Sequence, residues 1–132
     1  MARHNEIGKI GEQVAQKWLK TKGFTIKDIN YRKKYGEIDI VARGTTGKVH
    51  FVEVKTVSYE TKQDLELAVL RGTYRPEDNV HFHKQQRFSR VIESWILEND
   101  YSGEWQIDIV TVRMVPREKY AQVKFIENVI FE

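Results

Sequence analysis

Three charged residues near the middle of the chain have types and a spacing that suit metal-assisted chemistry. Asp39 is followed, after thirteen residues, by Glu53, and Lys55 comes two positions later. Mg²⁺ prefers oxygen ligands and commonly takes one or two carboxylates together with a substrate phosphate. Lys55 is roughly 6.6 Å from Glu53 at about 3.3 Å per strand residue, close enough to orient a water or to stabilise charge on a phosphate. The sequence therefore offers a candidate site for phosphodiester hydrolysis.

The segment 36–56 must position these residues, and it is predicted to form two alternating strands joined by a turn rich in glycine and threonine. We expect four apolar residues to face a common core: Ile38, Ile40, Val52 and Val54. The strand period of two then brings the three charged residues together on the opposite surface of the hairpin. The carbonyl of Val54 could add a third oxygen ligand. The alternative is that Glu53 and Lys55 are an ordinary solvated pair on an exposed strand face.

A first helix is predicted from about residue 5 to 22, because apolar residues recur there at helical spacing and Gly23 follows as a C-terminal stop. On this helix Glu12 falls at the margin of the apolar stripe, from which its carboxylate can lean over the sheet toward Asp39. Gly8 and Gly11 would allow another backbone to approach closely. The alternative for Glu12 is a solvated helix carboxylate.

A strand from Phe24 to Tyr31 is predicted next, followed by a basic turn at 32–35. Arg32, Lys33 and Lys34 lie beside the candidate site, where they would suit phosphate contacts, with the flanking tyrosines available for base stacking. The alternative is a charged turn that is merely solvated.

A second helix is predicted to begin at 77–79 and to end near Glu98. Lys84 points within its apolar arc, toward the sheet, so it either extends its ammonium to solvent or meets an anion. Arg87 and Arg90 face more toward solvent and could extend a track that binds a nucleic-acid backbone. His81 and His83, which lack partners at metal-ligand spacing, are treated as structural.

The remaining segments complete an α/β fold. The long connection at 58–79 is weakly helical at 65–70, and its Arg71, Tyr74 and Arg75 make it a candidate flap over nucleic acid or a floppy insertion. Two last strands are predicted at 105–115 and 121–131, with Asp108 treated as structural. The order α-β-β-β-α-β-β predicts a mixed central sheet of about five strands flanked by helices.

Composition narrows the class of protein. At 132 residues, 40% hydrophobic and 31% charged, the chain is expected to be a single globular domain spanning 1–132. No apolar run approaches a membrane span, the N-terminus lacks the hydrophobic segment of a signal peptide, and cysteine is absent. We therefore expect a cytoplasmic protein without membrane association. The net charge of +3 permits a polyanionic partner without demanding one.

The pattern of Asp39 and Glu53-Val54-Lys55 resembles the PD-(D/E)xK signature of restriction-endonuclease-like nucleases. A wider set of motifs is more specific: Gly8-x-x-Gly11-Glu12, Asn30-Tyr31-Arg32, Gly36-Glu37-Ile38-Asp39, Phe51-Val52-Glu53-Val54-Lys55-Thr56, Lys84, and Ile107-Asp108-Ile109-Val110. Together they resemble the YraN-like family of small, largely uncharacterised bacterial proteins, which is similar in turn to archaeal Holliday-junction resolvases. The match runs from about residue 5 to about residue 113.

The resemblance implies a restriction-endonuclease-like core and a Mg²⁺- or Mn²⁺-dependent endonuclease that attacks a DNA phosphodiester in line with an activated water. In that pattern Asp39 and Glu53 hold the metal, Glu12 binds a second ion or an ordered water, and Lys55 assists the nucleophile. Lys84 would contact phosphate or the carboxylates. The substrate could be branched DNA, a flap, single-stranded DNA or RNA, and the chain could form a homodimer. The alternatives are a nucleic-acid-binding module without turnover and a plain interaction domain.

Overall fold

The chain folds into a five-stranded mixed sheet with helices on both faces. The computed structural model describes residues 2–72 and 82–129, of which 2–5 and 82–86 are described by their backbone alone. The elements in chain order are α1 (Ala2–Thr21), β1 (Thr25–Lys33), β2 (Gly36–Arg43), β3 (Val49–Ser58), α2 (Lys62–Arg71), α3 (Phe82–Glu98), β4 (Trp105–Val115), a 3₁₀ turn (Pro116–Glu118) and β5 (Tyr120–Ile126).

The strands lie side by side in the order of the sequence. Neighbouring strands are antiparallel except β3 and β4, which are parallel and need a long connection between them. The predicted α/β class, element order and five-stranded mixed sheet are confirmed, with α2 as one further short helix. The strand predicted at 121–131 ends at Ile126, and residues 130–132 lie outside the described part of the chain.

Helix α2 occupies the first half of the connection predicted as a flap or insertion. Thr61 caps its start, because the Thr61 hydroxyl oxygen accepts a hydrogen bond from the Asp64 N–H at 3.1 Å. Gly72 ends it in the left-handed region, with a φ of 63°. The predicted flap residues Tyr74 and Arg75 and the predicted helix start at 77–79 lie outside the described residues.

Two apolar clusters cover the two faces of the sheet. On one face α1 packs Ala15 and Leu19 against the middle strands, and on the other α3 packs its own apolar stripe. Burial on both sides explains apolar runs such as Ile40-Val41-Ala42 in β2, in which consecutive side chains face opposite helices. The buried members of the α1-side cluster are Ala15, Leu19, Ile40, Ala42, Val52, Val110, Val112 and Met114, and those of the α3-side cluster are Ile38, Val41, Val49, Phe51, Phe88, Val91, Ile92 and Trp95.

The prediction that Ile38 shares a core with Ile40, Val52 and Val54 is wrong. Ile40 packs on the α1 side with the two valines, whereas Ile38 belongs to the α3-side cluster. The prediction assumed one buried face and one open face, but helices cover both faces of this sheet. Asn30 lies in β1 opposite this part of β2. Its φ of 49° is in the left-handed region, and it is not one of the paired residues in the β1–β2 register. The strict alternation of side chains fails between Ile38 and Ile40, which are two residues apart and pack on opposite faces.

Helix α1 approaches β3 closely at Gly11. A Cβ at residue 11 would lie 2.0 Å from Oγ1 of Thr56 and 2.7 Å from its Cγ2, which no real side chain tolerates. A Cβ at Gly8 would meet nothing within 4 Å. At Gly11 the close neighbour is thus the Thr56 side chain rather than the predicted backbone, and the predicted close approach is wrong at Gly8. Because Gly11 precedes Glu12, this contact also fixes how far the Glu12 backbone stands from the sheet.

Gly11→Ala is expected to destabilise the fold, whereas Gly8→Ala is not. Over-packing of a tight contact costs about 1–3 kcal/mol, and a glycine replaced by alanine within an open helix position gains roughly 0.5–1 kcal/mol. Chemical denaturation of both variants measures the two free energies of unfolding. Adding Thr56→Ala to Gly11→Ala should restore part of the stability. Equal stability of the two single variants would show that α1 does not rest on Thr56.

Candidate active site

Asp39 stands where β2 and β3 stop pairing. The two strands are in register from Arg43 and Val49 to Ile40 and Val52. Beyond that pair, the Val54 N–H donates a hydrogen bond to Oδ2 of Asp39 at 2.8 Å. The Asp39 side chain thus satisfies a backbone donor of β3, which holds its carboxylate against the strand that bears Glu53 and Lys55.

Glu53 and Lys55 form a largely buried pair rather than a solvated one. Glu53 is 5% exposed. Its Oε1 lies 3.4 Å from Nζ of Lys55, and the Lys55 side chain is 16% exposed. The alternative of an ordinary exposed strand pair is therefore wrong. Charges that are shielded from water interact more strongly than exposed charges do.

Four carboxylates influence one another around Asp39. Burial is the largest cause that raises the pKa of Asp39, from 3.8 to about 7, and the negative charges of Glu53, Glu12 and Glu37 raise it further. The hydrogen bond from the Val54 N–H acts in the opposite direction. Burial and the charge of Glu37 also raise the pKa of Glu12. Glu12 therefore lies near the cluster, as the helical margin position predicted.

Glu37 is a member of this carboxylate cluster that the sequence analysis did not single out. It is half-buried, and its Oε2 accepts hydrogen bonds from Nε of Arg32 at 2.8 Å and from Nη2 at 2.6 Å. Its place two residues before Asp39 on the same strand was the available signal, because two such positions are only roughly 6.6 Å apart at about 3.3 Å per residue.

The donor set fits a hard divalent cation. Among residues 2–72 and 82–129, no three His, Cys, Asp or Glu side chains already stand as a complete metal-binding group. Mg²⁺ does not need one, because it keeps several waters and binds through one or two carboxylates plus substrate phosphate. Asp39 and Glu53 are two such carboxylates. Repulsion from neighbouring carboxylates contributes to the raised pKa of Asp39, and a bound cation would offset this negative charge.

The raised pKa of Asp39 predicts that stability falls as the pH rises. Its folded pKa of about 7 lies above the ordinary 3.8, so its contribution is fully present below about pH 4 and is lost as the pH rises through about 7. Without metal, Asp39→Asn should be more stable than the parent at pH 8, by an amount on the order of 4 kcal/mol at most. Thermal unfolding between pH 4 and 8 measures this.

The control is Asp100→Asn, the same chemical change at an exposed residue after α3. It should leave the pH dependence of unfolding as in the parent. A parent protein whose stability rises from pH 5 to pH 8, with Asp39→Asn following the same curve, would contradict the burial and repulsion assigned to Asp39.

The basic residues of the β1–β2 hairpin are differently engaged. β1 extends to Lys33, so the turn consists of Lys34 and Tyr35 alone. Arg32 pairs with Glu37, and Lys33 forms an ion pair with Glu98 at the end of α3. Lys34 is exposed. Two of the three residues predicted to contact phosphate, Arg32 and Lys33, thus already pair with carboxylates.

Helix α3 brings further cations to this hairpin. Gly36 lies against α3, because a Cβ there would be 3.4 Å from Cβ of Arg87. Arg87 and Arg90 are exposed, as predicted, and the guanidinium of Arg90 stacks over the Tyr35 ring at 4.3 Å. The side chain of Lys84 is outside the described residues, so its predicted contact remains a prediction.

Thr111 is a second polar residue that the sequence analysis did not single out. It is the partner of Lys55 across the parallel β3–β4 pair and is fully buried. Its hydroxyl has no hydrogen-bond partner among the described residues. Strand alternation gave no signal for it, because a threonine in an apolar strand is common.

These features define a small α/β protein whose five-stranded mixed sheet holds a buried carboxylate and lysine cluster. The described part of the chain contains no helix that is both long and apolar enough to span a membrane. A family model described as Uncharacterised protein family UPF0102 matches residues 11–112, a range that includes Glu12, Asp39, Glu53 and Lys55.

Curated relatives resemble the chain over nearly its whole length. A UPF0102 protein of Alkaliphilus oremlandii is 36% identical over 128 residues, which cover 95% of this chain and 97% of the relative. One from Campylobacter fetus is 36% identical over 127 residues, with 95% and 94% covered, and one from Dictyoglomus turgidum is 29% identical over 126, with 95% and 97% covered. The chain belongs to the UPF0102 family, and the YraN-like resemblance is confirmed.

Proposed function

We propose that this protein is a Mg²⁺- or Mn²⁺-dependent endonuclease that hydrolyses phosphodiester bonds of DNA, including branched or junction DNA. The main support is one arrangement: Asp39, bonded to the β3 backbone, stands among other carboxylates beside a buried pair in which Lys55 lies 3.4 Å from Glu53. Carboxylates and one ammonium in a shielded site suit phosphoryl chemistry, since they can bind a divalent cation and stabilise developing negative charge.

Each residue has a distinct role in this proposal. A bound Mg²⁺ would act as a Lewis acid and lower the pKa of a water. Asp39 and Glu53 would hold the cation, with the Val54 carbonyl as a further oxygen donor. Glu12 would bind a second ion or an ordered water. Lys55, which cannot ligate a metal while it is protonated, would orient the attacking water and offset charge on the phosphate.

The exposed cations beside the hairpin support a nucleic-acid substrate. Lys34, Arg87 and Arg90 lie on or against the β1–β2 hairpin, the same strand pair whose β2 contributes Asp39. Exposed lysine and arginine side chains bind phosphates of the backbone without distinguishing bases. DNA of a particular shape, rather than of a particular sequence, is therefore the proposed substrate, and RNA is the second substrate to examine.

A panel of labelled substrates tests the function. Linear, flapped and four-way-junction DNA and matched RNA are incubated with Mg²⁺, with Mn²⁺ or with a chelator, alongside Glu53→Ala. Cleavage that needs the metal and is abolished in Glu53→Ala is the expected result. If no substrate is cleaved in a metal-dependent way at enzyme concentrations above the dissociation constant for that substrate, the protein is not a nuclease.

The second candidate function is a nucleic-acid-binding module with the same fold and no turnover. It is favoured by the raised pKa of Asp39, which leaves its carboxyl partly protonated near pH 7. Salt-sensitive binding to DNA without metal-dependent cutting would select it. The third alternative, a plain interaction domain, requires that no salt-sensitive binding occurs.

The proposed phosphate track predicts a change in the salt dependence of DNA binding. Neutralising Arg32, Lys33, Lys34, Lys84 and Arg87 should lower the slope of log affinity against log salt, by up to about 0.9 for each duplex phosphate that is no longer neutralised. Within this set Lys34 and Arg87 should contribute most, because Arg32 and Lys33 already pair with carboxylates. Fluorescence anisotropy at several salt concentrations measures the slope.

The matched control neutralises Lys17 and Lys20, two exposed residues of α1. It should leave the slope unchanged, and neither variant should alter sequence preference. A parental slope in the variant without the five cations would place the binding surface elsewhere.

A further inference from the structure

A second polar site lies at the other end of β3 from Lys55. His50 and Asp108 form a buried pair, 6% and 0% exposed, in which Nδ1 of His50 lies 2.5 Å from Oδ2 of Asp108. Oδ1 of Asp108 accepts hydrogen bonds from Nε2 of Gln106 at 2.7 Å and from the Asn128 N–H at 2.9 Å. An ionised carboxylate only accepts hydrogen bonds, so this arrangement places a proton on Nδ1 of His50.

The other ring nitrogen of His50 faces a surface cleft. Its Nε2 would lie 3.1 Å from a Cβ placed on Gly44, and the cleft, of about 220 Å³, is lined by both residues. Lys22 and Lys48 line it as well, together with the hydroxyl-bearing turn residues Thr45 and Thr46. Nζ of Lys48 donates to Oε1 of Gln106 at 3.2 Å, so one chain of hydrogen bonds fixes the lysine, the amide, the carboxylate and the imidazole.

Burial of His50 and Asp108 costs free energy of hydration, and core packing alone gives no reason for a polar pair at this place. Two groups of this kind lose hydration when they are buried, and an apolar pair of similar size would often serve the core equally well. The Asp108 carboxylate instead fixes the orientation of the imidazole through Nδ1 and so holds Nε2 toward the cleft. Two ammonium groups and two hydroxyls beside this ring nitrogen match the oxygens of a phosphate.

We propose that this cleft is a phosphate-binding site, in which Lys22, Lys48 and Nε2 of His50 contact the oxygens of a phosphate group. A metal is the poorer match, because the cleft offers one imidazole and one carboxylate, the exposed Glu127. Strand alternation places His50 on the α1 side with Val52, and Glu53 on the α3 side with Phe51. The cleft is thus separate from the carboxylate cluster, and phosphate binding there does not depend on the proposed nuclease activity.

Titration of the full chain with inorganic phosphate, without divalent metal, tests the site. The histidine ring signals of ¹⁵N-labelled protein are followed by NMR, and His50 is identified among the four histidines by its absence in His50→Gln. Saturable shifts of the His50 ring nitrogens are expected. Lys22→Met and Lys48→Met should each weaken binding by about tenfold, which is the usual effect of one charged hydrogen bond. Lys20→Met, an exposed lysine of α1 that does not line the cleft, should have no effect.

Two further variants test the cleft without removing either lysine. Gly44→Ala places a methyl group beside Nε2 of His50 without changing any charge, so it should weaken phosphate binding while the protein stays folded. Glu127→Gln removes the only carboxylate among the lining residues and should strengthen binding. Unshifted His50 signals at millimolar phosphate would overturn the proposal. So would a phosphate affinity equal to that of the parent in all four cleft variants.

Two oligonucleotides that differ only in a 5′-phosphate distinguish the end of a nucleic acid from a small phosphate compound as the ligand. If the phosphorylated strand shifts His50 and competes with inorganic phosphate while the 5′-hydroxyl strand does not, the cleft accepts the end of a nucleic acid. If inorganic phosphate alone shifts His50, the ligand is a small phosphate compound. Each titration is repeated in Glu53→Gln, where the nuclease site is disabled, so failure of one proposal is distinguishable from failure of the other.

Discussion

Lys55→Ala should cleave DNA on the order of 10²- to 10³-fold more slowly than the parent, while binding metal and DNA at least as well. The Lys55 ammonium lies 3.4 Å from Glu53 and cannot ligate a cation itself. An interaction that strengthens only as charge develops on the phosphate lowers the barrier without improving substrate affinity. Its removal also ends the competition of an ammonium with the metal for the Glu53 carboxylate. Single-turnover cleavage at saturating Mn²⁺, with affinities measured separately, resolves the two effects.

Lys55→Arg is the informative companion of this variant. It keeps the charge, but a planar guanidinium differs in shape from a compact ammonium, so it should recover little of the rate. Full recovery would show that charge alone matters at this position. Parental single-turnover rates in Lys55→Ala, under identical metal and salt, would falsify the proposed role of the lysine.

The second large effect concerns the metal itself. Asp39→Asn and Glu53→Gln should each weaken Mn²⁺ binding at least about 100-fold, because removal of a residue that merely supports a ligand already costs 10- to 100-fold. Glu12→Gln should have a smaller effect, since Glu12 would bind a second ion or an ordered water. Calorimetry at pH 8 measures the affinities at a pH above the raised pKa of Asp39, which is about 7.

Glu37→Gln is the matched control for these carboxylates. It removes one negative charge from the same cluster, but its carboxylate pairs with Arg32 and is not assigned to the metal. We expect a change of a few-fold, in keeping with the removal of a neighbouring charge rather than of a ligand. Circular dichroism checks that each variant is folded. Unchanged Mn²⁺ affinity in both Asp39→Asn and Glu53→Gln would remove the metal site.

Local sequence patterns were sufficient for the order of the elements and for the neighbourhood of Glu53 and Lys55 on β3. Helical spacing and Gly23 predicted α1, and α1 ends at Thr21 with Gly23 in the left-handed region, at a φ of 91°. The period of two predicted the hairpin of β2 and β3. The same alternation placed Glu53 beside Lys55. The helix, the hairpin and this pair each depend on residues that are near one another along the chain, where backbone geometry determines which side chains are neighbours.

Tertiary structure alone decided which faces are buried and which distant side chains meet. Helices cover both faces of the sheet, so Ile38 could pack on the opposite side from Ile40, and a pattern that assumes one open face could not predict it. His50 meets Asp108, 58 positions away, because the parallel pairing of β3 with β4 sets His50 opposite Gln106. The raised pKa of Asp39 likewise depends on burial and on Glu12 from another element. Alternation specifies which side chains share a face, but the long-range pairing of strands and the packing of helices determine what that face meets.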